Sequence, residues 1–362
     1  PGRKLSTKTS LYYFRNMALR LAPVAFLSIP GCSSLTFYTQ AVVGQTSLLM
    51  HRKDIDQVIA DSATDETTRN KLQLVKQVLD YAENDLNLSV GDSYSTYVAT
   101  GKPYVVWNVF AAPEFSLEMK SFCYPIAGCV SYRGYFQQDE ADTLAAELGN
   151  DGYDVFVGGV AAYSTLGWFS DPVLDTFFSR SDVNLAALLF HELAHRAVYV
   201  SGDTQFNESF ATTLEVNSLK RWLTDSGQEK AYRDYVDTRT RRTQVLEIIG
   251  DTRESLDLLY SSDATTTEMR KSKYGLIDEL RIAYQALQTT WNGKEDFGRW
   301  MSTEINNAKL GSIVEYNVWV PAFSVLLIEK DNNISEFIEA VDTISKLGKP
   351  DRDEFLRSRL QD

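Results

Sequence analysis

The 362-residue sequence predicts an α+β fold, with a small sheet in its first half and a mainly helical second half. Three observations predict it. Runs rich in β-branched and aromatic residues, bounded by Gly and Pro, are confined to residues 94–170. Apolar residues at 3–4 spacing dominate 37–82, and again from about residue 182 to the end. No internal repeat or low-complexity linker breaks this order. With 44% hydrophobic and 23% charged residues, a wholly disordered chain and a fibrous repeat are excluded.

The amino terminus stands apart. Residues 1–32 contain Arg3, Lys4, Lys8, Arg15 and Arg20 and no acid, and they include the short apolar run Leu21–Ile29. A positive stretch, a short apolar run and a small residue before a processing point make a secretory signal peptide. At nine residues the run is too short to span a bilayer, which needs ~20. Ile29-Pro-Gly-Cys32 resembles the lipobox of bacterial lipoproteins, although Pro30 stands where a small or hydroxylated residue is usual. That resemblance implies a signal peptide over 1–31, acylation of Cys32 and a periplasm-facing protein anchored in a membrane. Ser33 in place of Asp favours the outer membrane over the inner. Without residues 1–32, 31 basic residues face 49 acidic ones, so the overall charge of −13 becomes −18. So acidic a chain is a poor partner for nucleic acid, whose affinity comes from neutralising phosphates.

The remaining elements follow in order. Leu72, Val75, Val78, Leu79 and Ala82 give one helix an apolar face, and His51 lies in a charged surface stretch before it. Tyr104–Ala111 and Tyr153–Val157 are strands, and Val130–Phe136 is a third. Cys123 and Cys129 flank a tight loop with Pro125 and Gly128. In an exported protein this predicts a disulfide; a metal pair would lack a third thiol. Residues 230–290 predict a long helical hairpin turning at Ser261-Ser-Asp263. The expected domains are the signal peptide 1–31, a catalytic region 32–225 with the mixed sheet, and a helical subdomain 226–362.

The chemistry concentrates in His191-Glu-Leu-Ala-His195, which holds two of only three histidines. Ser181 or Asp182 caps the helix and Gly202 lies past its end. Residues i and i+4 share one helical face, so both imidazoles can hold one metal ion, with Glu192 beside the first as a base. This H-E-x-x-H pattern belongs to zinc peptidases, in which the ion activates a water molecule. The next helix, capped by Asp203 or Thr204, offers Glu208 and Glu215 on one face as the third ligand. Helical rise places neither out of reach, so spacing alone leaves both open.

Asn207-Glu-Ser-Phe-Ala211 resembles the Asn-Glu-x-x-Ala block of gluzincin metallopeptidases, the thermolysin and aminopeptidase N group, with a shorter gap after His195. More closely, nearly the whole mature chain resembles bacterial lipoproteins described as putative aminopeptidases. The blocks carrying that likeness are Val105–Pro113, Cys123–Phe136, Ala162–Phe169 with Asp171-Pro172, Phe190–His195 and Gly202–Ala211. The resemblance implies a zincin-like fold and one Zn2+ per chain on His191, His195 and Glu208. It also implies peptide-bond hydrolysis with Glu192 as base, and aminopeptidase activity.

Other roles are expected as follows. Asp203 and Asn207 are candidates to orient a histidine, with a capping role equally open for Asp203. Tyr316 is the candidate donor to the developing oxyanion, with Tyr163 as competitor. The strand at Ala111 is a candidate to pair with an extended peptide, and Glu114 to hold a free substrate amine. The competing function is a non-catalytic peptide-binding or envelope scaffold lipoprotein with a structural zinc site, for which Glu192 would have no use.

Overall fold

The computed structural model describes residues 43–44, 46–124, 128–161, 171–313 and 317–360. The signal peptide, Cys32, Tyr163 and Tyr316 lie outside them.

The principal sheet has three antiparallel strands in the order β6-β3-β7, where β3 is Val106–Pro113, β6 is Arg133–Tyr135 and β7 is Tyr153–Val160. Side chains alternate across a strand. Trp107, Val109 and Ala111 therefore point to one face, where Ala141 and Leu148 of helix α3 (Gln138–Asn150) cover them. A second small sheet joins β1 (Lys53–Asp54), β2 (Thr96–Val98) and β8 (Val173–Leu174). Between them β4 (Phe122–Tyr124) and β5 (Gly128–Val130) form a hairpin closed by the Cys123–Cys129 disulfide.

Helices supply the rest. After the short α1 (Ile55–Ala60), α2 (Glu66–Asn84) begins where the Asp65 carboxylate accepts the Thr68 amide, and it buries Leu72, Val75, Val78 and Ala82 as its spacing predicts. Then comes the helix pair α4 (Asp182–Ala197) and α5 (Thr204–Asp225). Ser181 caps α4 by accepting the Asn184 amide, and Asp203 caps α5 by accepting the Phe206 amide. Gly202, at φ +79°, turns the chain between them in a conformation that favours glycine. The predicted hairpin is α6 (Glu229–Tyr260) with α7 (Thr266–Thr290), which opens with a Thr265–Glu268 capping box. The short α8 (Gly298–Ser302) and α9 (Asn307–Gly311) follow, then α10 (Val320–Glu329), α11 (Ile334–Ser345) and α12 (Lys349–Ser358). Among the described residues no helix is long and apolar enough to cross a membrane.

The expected boundary at 225/226 does not separate two cores. Residues 40–362 form one unit. Within the second half, most of α6, α7 and the segment to Leu310 build a cluster of their own, around Ile249, Ile277 and Leu280. Helices α10–α12 instead complete the core of the first half, because Pro-Ala-Phe-Ser-Val-Leu-Leu-Ile (321–328) is too apolar to be left on a surface. Phe323 meets Phe206 with ring centroids 5.2 Å apart, and Phe337 meets Phe210 at 5.7 Å. Arg352 of α12 closes a buried ion pair on Asp203 at 2.7 Å.

Candidate metal centre

Helix α4 presents His191 and His195 one turn apart, and their Nε2 atoms come to 3.2 Å of each other. Glu208, in the first two turns of α5, faces both: its oxygens lie 3.3 Å from His191 Nε2 and 3.6 Å from His195 Nε2. All three donors lie within 4.8 Å of one another. Four ligands at roughly 2.0–2.1 Å around a tetrahedral zinc ion sit about 3.3 Å apart, so the donor set fits that ion. Zinc also favours this chemistry of imidazole nitrogen and carboxylate oxygen.

Glu215 takes the opposite side of the His191 ring. His191 Nδ1 donates to Glu215 Oε2 at 2.9 Å, while Tyr235 and Arg239 donate to Glu215 Oε1, Arg239 at 2.9 Å. Spacing had left Glu208 and Glu215 interchangeable. Three-dimensional placement separates them: Glu208 faces both Nε2 atoms, and Glu215 fixes the ring from behind. Ligating histidines commonly donate their second N–H to such an oxygen, which sets the tautomer. His195 Nδ1, by contrast, is buried without a partner among the described residues.

Charge follows this arrangement. Burial alone would push His191 down, but the bonds from Glu208 and Glu215 outweigh it and lift His191 to about 10. Burial and the charge on His191 lower His195 to about 4. Burial, reinforced by Glu208 and Asp171 and opposed by His191 and Arg180, raises Glu192 to about 7. The site thus draws one proton onto two imidazoles between two carboxylates, a place suited to a cation. A carboxylate with a pKa near neutrality is also a fitting general base.

His191, Glu208 and Glu215 border a cleft of about 680 Å3, which Arg180, Arg239 and Arg242 also line. His51 is elsewhere. Its exposed ring bonds the Ser47 carbonyl at 2.7 Å, consistent with the surface role expected for it.

Residues 36–356 match the model of a family described as putative aminopeptidase. The chain belongs to that family. Neither a curated protein nor a solved structure matches it. In this putative aminopeptidase family member several expected site residues play other parts. Ala111 is fully buried in the central strand, paired with Val155, and its carbonyl already accepts the Lys120 amide at 2.8 Å, which leaves no free edge there for a peptide. Glu114 is clamped by Arg270 at 2.5 and 2.8 Å, and its carbonyl accepts Lys273 Nζ, so it ties the sheet to α7 instead of holding a substrate amine. Asp203 caps α5 and pairs with Arg352. Asn207 bonds the amide and carbonyl of Val200, both at 2.8 Å, and so braces the α4–α5 turn instead of a histidine.

Sequence reasoning missed Tyr235, Arg239 and Arg180. The signal existed only weakly: Tyr235 and Arg239 are i and i+4 on α6, but Tyr–Arg neighbours on a charged helix are commonplace. Their meaning comes from Glu215, 24 residues before Arg239.

Proposed function

We propose that this protein hydrolyses peptide bonds as a zinc-dependent aminopeptidase, with one Zn2+ held by His191, His195 and Glu208. The observation that carries it is the convergence of those three donors beside a glutamate poised near neutrality. When bound, such an ion polarises the scissile carbonyl and acidifies water. The chain does the rest. Glu192 takes a proton from the attacking water onto its carboxylate and passes it to the leaving amine. Glu215, itself held by Tyr235 and Arg239, keeps His191 turned so that Nε2 faces the centre. Tyr316 is the proposed donor to the developing oxyanion, since Asn317 beside it in sequence lines the cleft.

The protein is further proposed to be exported as a lipoprotein, with Cys32 anchoring it in the outer membrane. The Cys123–Cys129 bridge supports an oxidising compartment of this kind.

Metal analysis of the purified chain, combined with peptidase assays on free and N-acetylated peptides, tests the function. Stoichiometric zinc and cleavage of only the free peptides are expected. Equal cleavage of acetylated peptides would make it an endopeptidase. Bound zinc without cleavage of any peptide would leave the structural-site lipoprotein.

A further inference from the structure

Three arginines line the cleft beside the metal centre, and among the described residues only Arg239 is hydrogen-bonded to a carboxylate. We propose that the Arg242 wall of this cleft binds a carboxylate of the substrate peptide, supplied by an acidic side chain or by a free C-terminus. The proposal rests on the peptidase function and names its substrate class.

Helix α6 carries Tyr235, Arg239, Arg242 and Leu246 at steps of four, three and four, which puts them on one face. Tyr235 and Arg239 anchor that face to the metal centre through Glu215 and His191. Arg242 stands one turn further along, about 4.5 Å of helical rise from Arg239. Its guanidinium packs over the Phe297 ring at 5.5 Å, a contact that orients the plane without neutralising the charge.

The charge balance of the cleft points the same way. Its acidic members are Glu208 and Glu215, and both already face histidines, Glu215 with Arg239 as well. Arg180 is opposed by Glu192. Arg242, exposed on the cleft wall, makes no hydrogen bond to a carboxylate among the described residues; desolvation and the like charge of Arg239 hold it below its usual pKa against the weaker pull of Glu215. Thr243 lies beside it on the cleft wall, whereas the Thr238 hydroxyl is already engaged with the Asp234 carbonyl and Arg241. A planar guanidinium next to a hydroxyl is matched by a carboxylate, which can accept two parallel N–H bonds. Residues 33–362 carry a balance of −18, so this cationic wall contrasts with the bulk of the chain.

Four tripeptides test it: Ala-Ala-Glu and Ala-Ala-Gln, each with a free or amidated C-terminus. Their binding to zinc-loaded full-length Glu192→Gln protein is measured by calorimetry, and their cleavage by the unmodified enzyme is followed in parallel. Loss of the recognised carboxylate should weaken binding about tenfold, the size of one charge-assisted hydrogen bond. Sensitivity to amidation identifies the C-terminus as its source; sensitivity to Glu against Gln identifies the side chain. Arg242→Gln should shrink the ratio to less than about twofold, and Arg242→Lys should retain part of it. Equal affinity for all four peptides, binding of none, or a ratio that survives Arg242→Gln overturns the proposal. Equal cleavage of all four with no charge preference refutes the pocket and keeps the peptidase. Charge-selective binding with no cleavage keeps the pocket and refutes the peptidase.

Discussion

Glu215 accepts a hydrogen bond from His191 Nδ1 at 2.9 Å, on the ring edge opposite the Nε2 that faces Glu208. Two glutamates of one helix thus hold the two sides of a single imidazole. Because Glu215 is also bonded by Tyr235 and Arg239, the orientation of His191 depends on helix α6, outside the motif that contains it.

Replacing Glu215 with Gln should therefore weaken zinc binding although Glu215 is not among the proposed ligands. A loss of roughly 10–100-fold is expected, the usual effect of removing such a supporting partner. Competition with a chromogenic chelator measures it. Unchanged affinity would mean that His191 needs no support from behind.

Glu192→Gln separates chemistry from metal binding. Activity should fall by about 10²–10⁴-fold, the range for a lost general base, while zinc content stays at the level of the unmodified protein. Loss of zinc in this variant would instead make Glu192 part of the binding site.

The Asp203–Arg352 pair should make stability fall in acid. Burial pushes the Asp203 carboxyl up, but Arg352, the Phe206 amide and Lys349 outweigh it and hold the carboxyl below its ordinary value. The unfolded chain then takes up the proton first. The contribution is present above the unfolded pKa of about 3.9 and disappears as pH falls through the folded value. Urea unfolding at several pH values should show this loss below about pH 4, reduced in Arg352→Met. At neutral pH that variant leaves the buried Asp203 with only the Phe206 amide and the more distant Lys349 at 3.6 Å, which should cost up to about 3 kcal/mol.

Phe323→Ala probes the attachment of the last helices. Phe323 is fully buried between Phe206 and Phe337, so truncation should cost about 3–5 kcal/mol. If α10–α12 formed a separate subdomain, thermal unfolding would split into two transitions and zinc affinity would be untouched. A single, lowered transition is expected.

The linear order of residues was enough to place helix α4. Ser181, Leu185, Leu189 and His191/His195 write its cap, its buried face and its histidine pair within 15 residues, and helical geometry needs nothing more distant. The strands around Trp107 and Tyr153 and the α6–α7 hairpin were legible for the same reason, since alternation and 3–4 spacing are local signals. Burial of Ala111 inside the sheet was not, because a strand's pattern does not say which neighbours pair with it. The roles of Glu208 and Glu215 were decided only when α5 packed on α4 and α6 closed over Glu215. Seven residues apart on one helix, the two carboxylates are equivalent until Tyr235 and Arg239 arrive from another. The join of α10–α12 to the first-half core was likewise a matter of long-range packing, as Arg352 meets Asp203 across 149 residues of sequence. Local periodicity specifies an element and its apolar face, whereas the partner of that face is chosen by the packing of the whole chain.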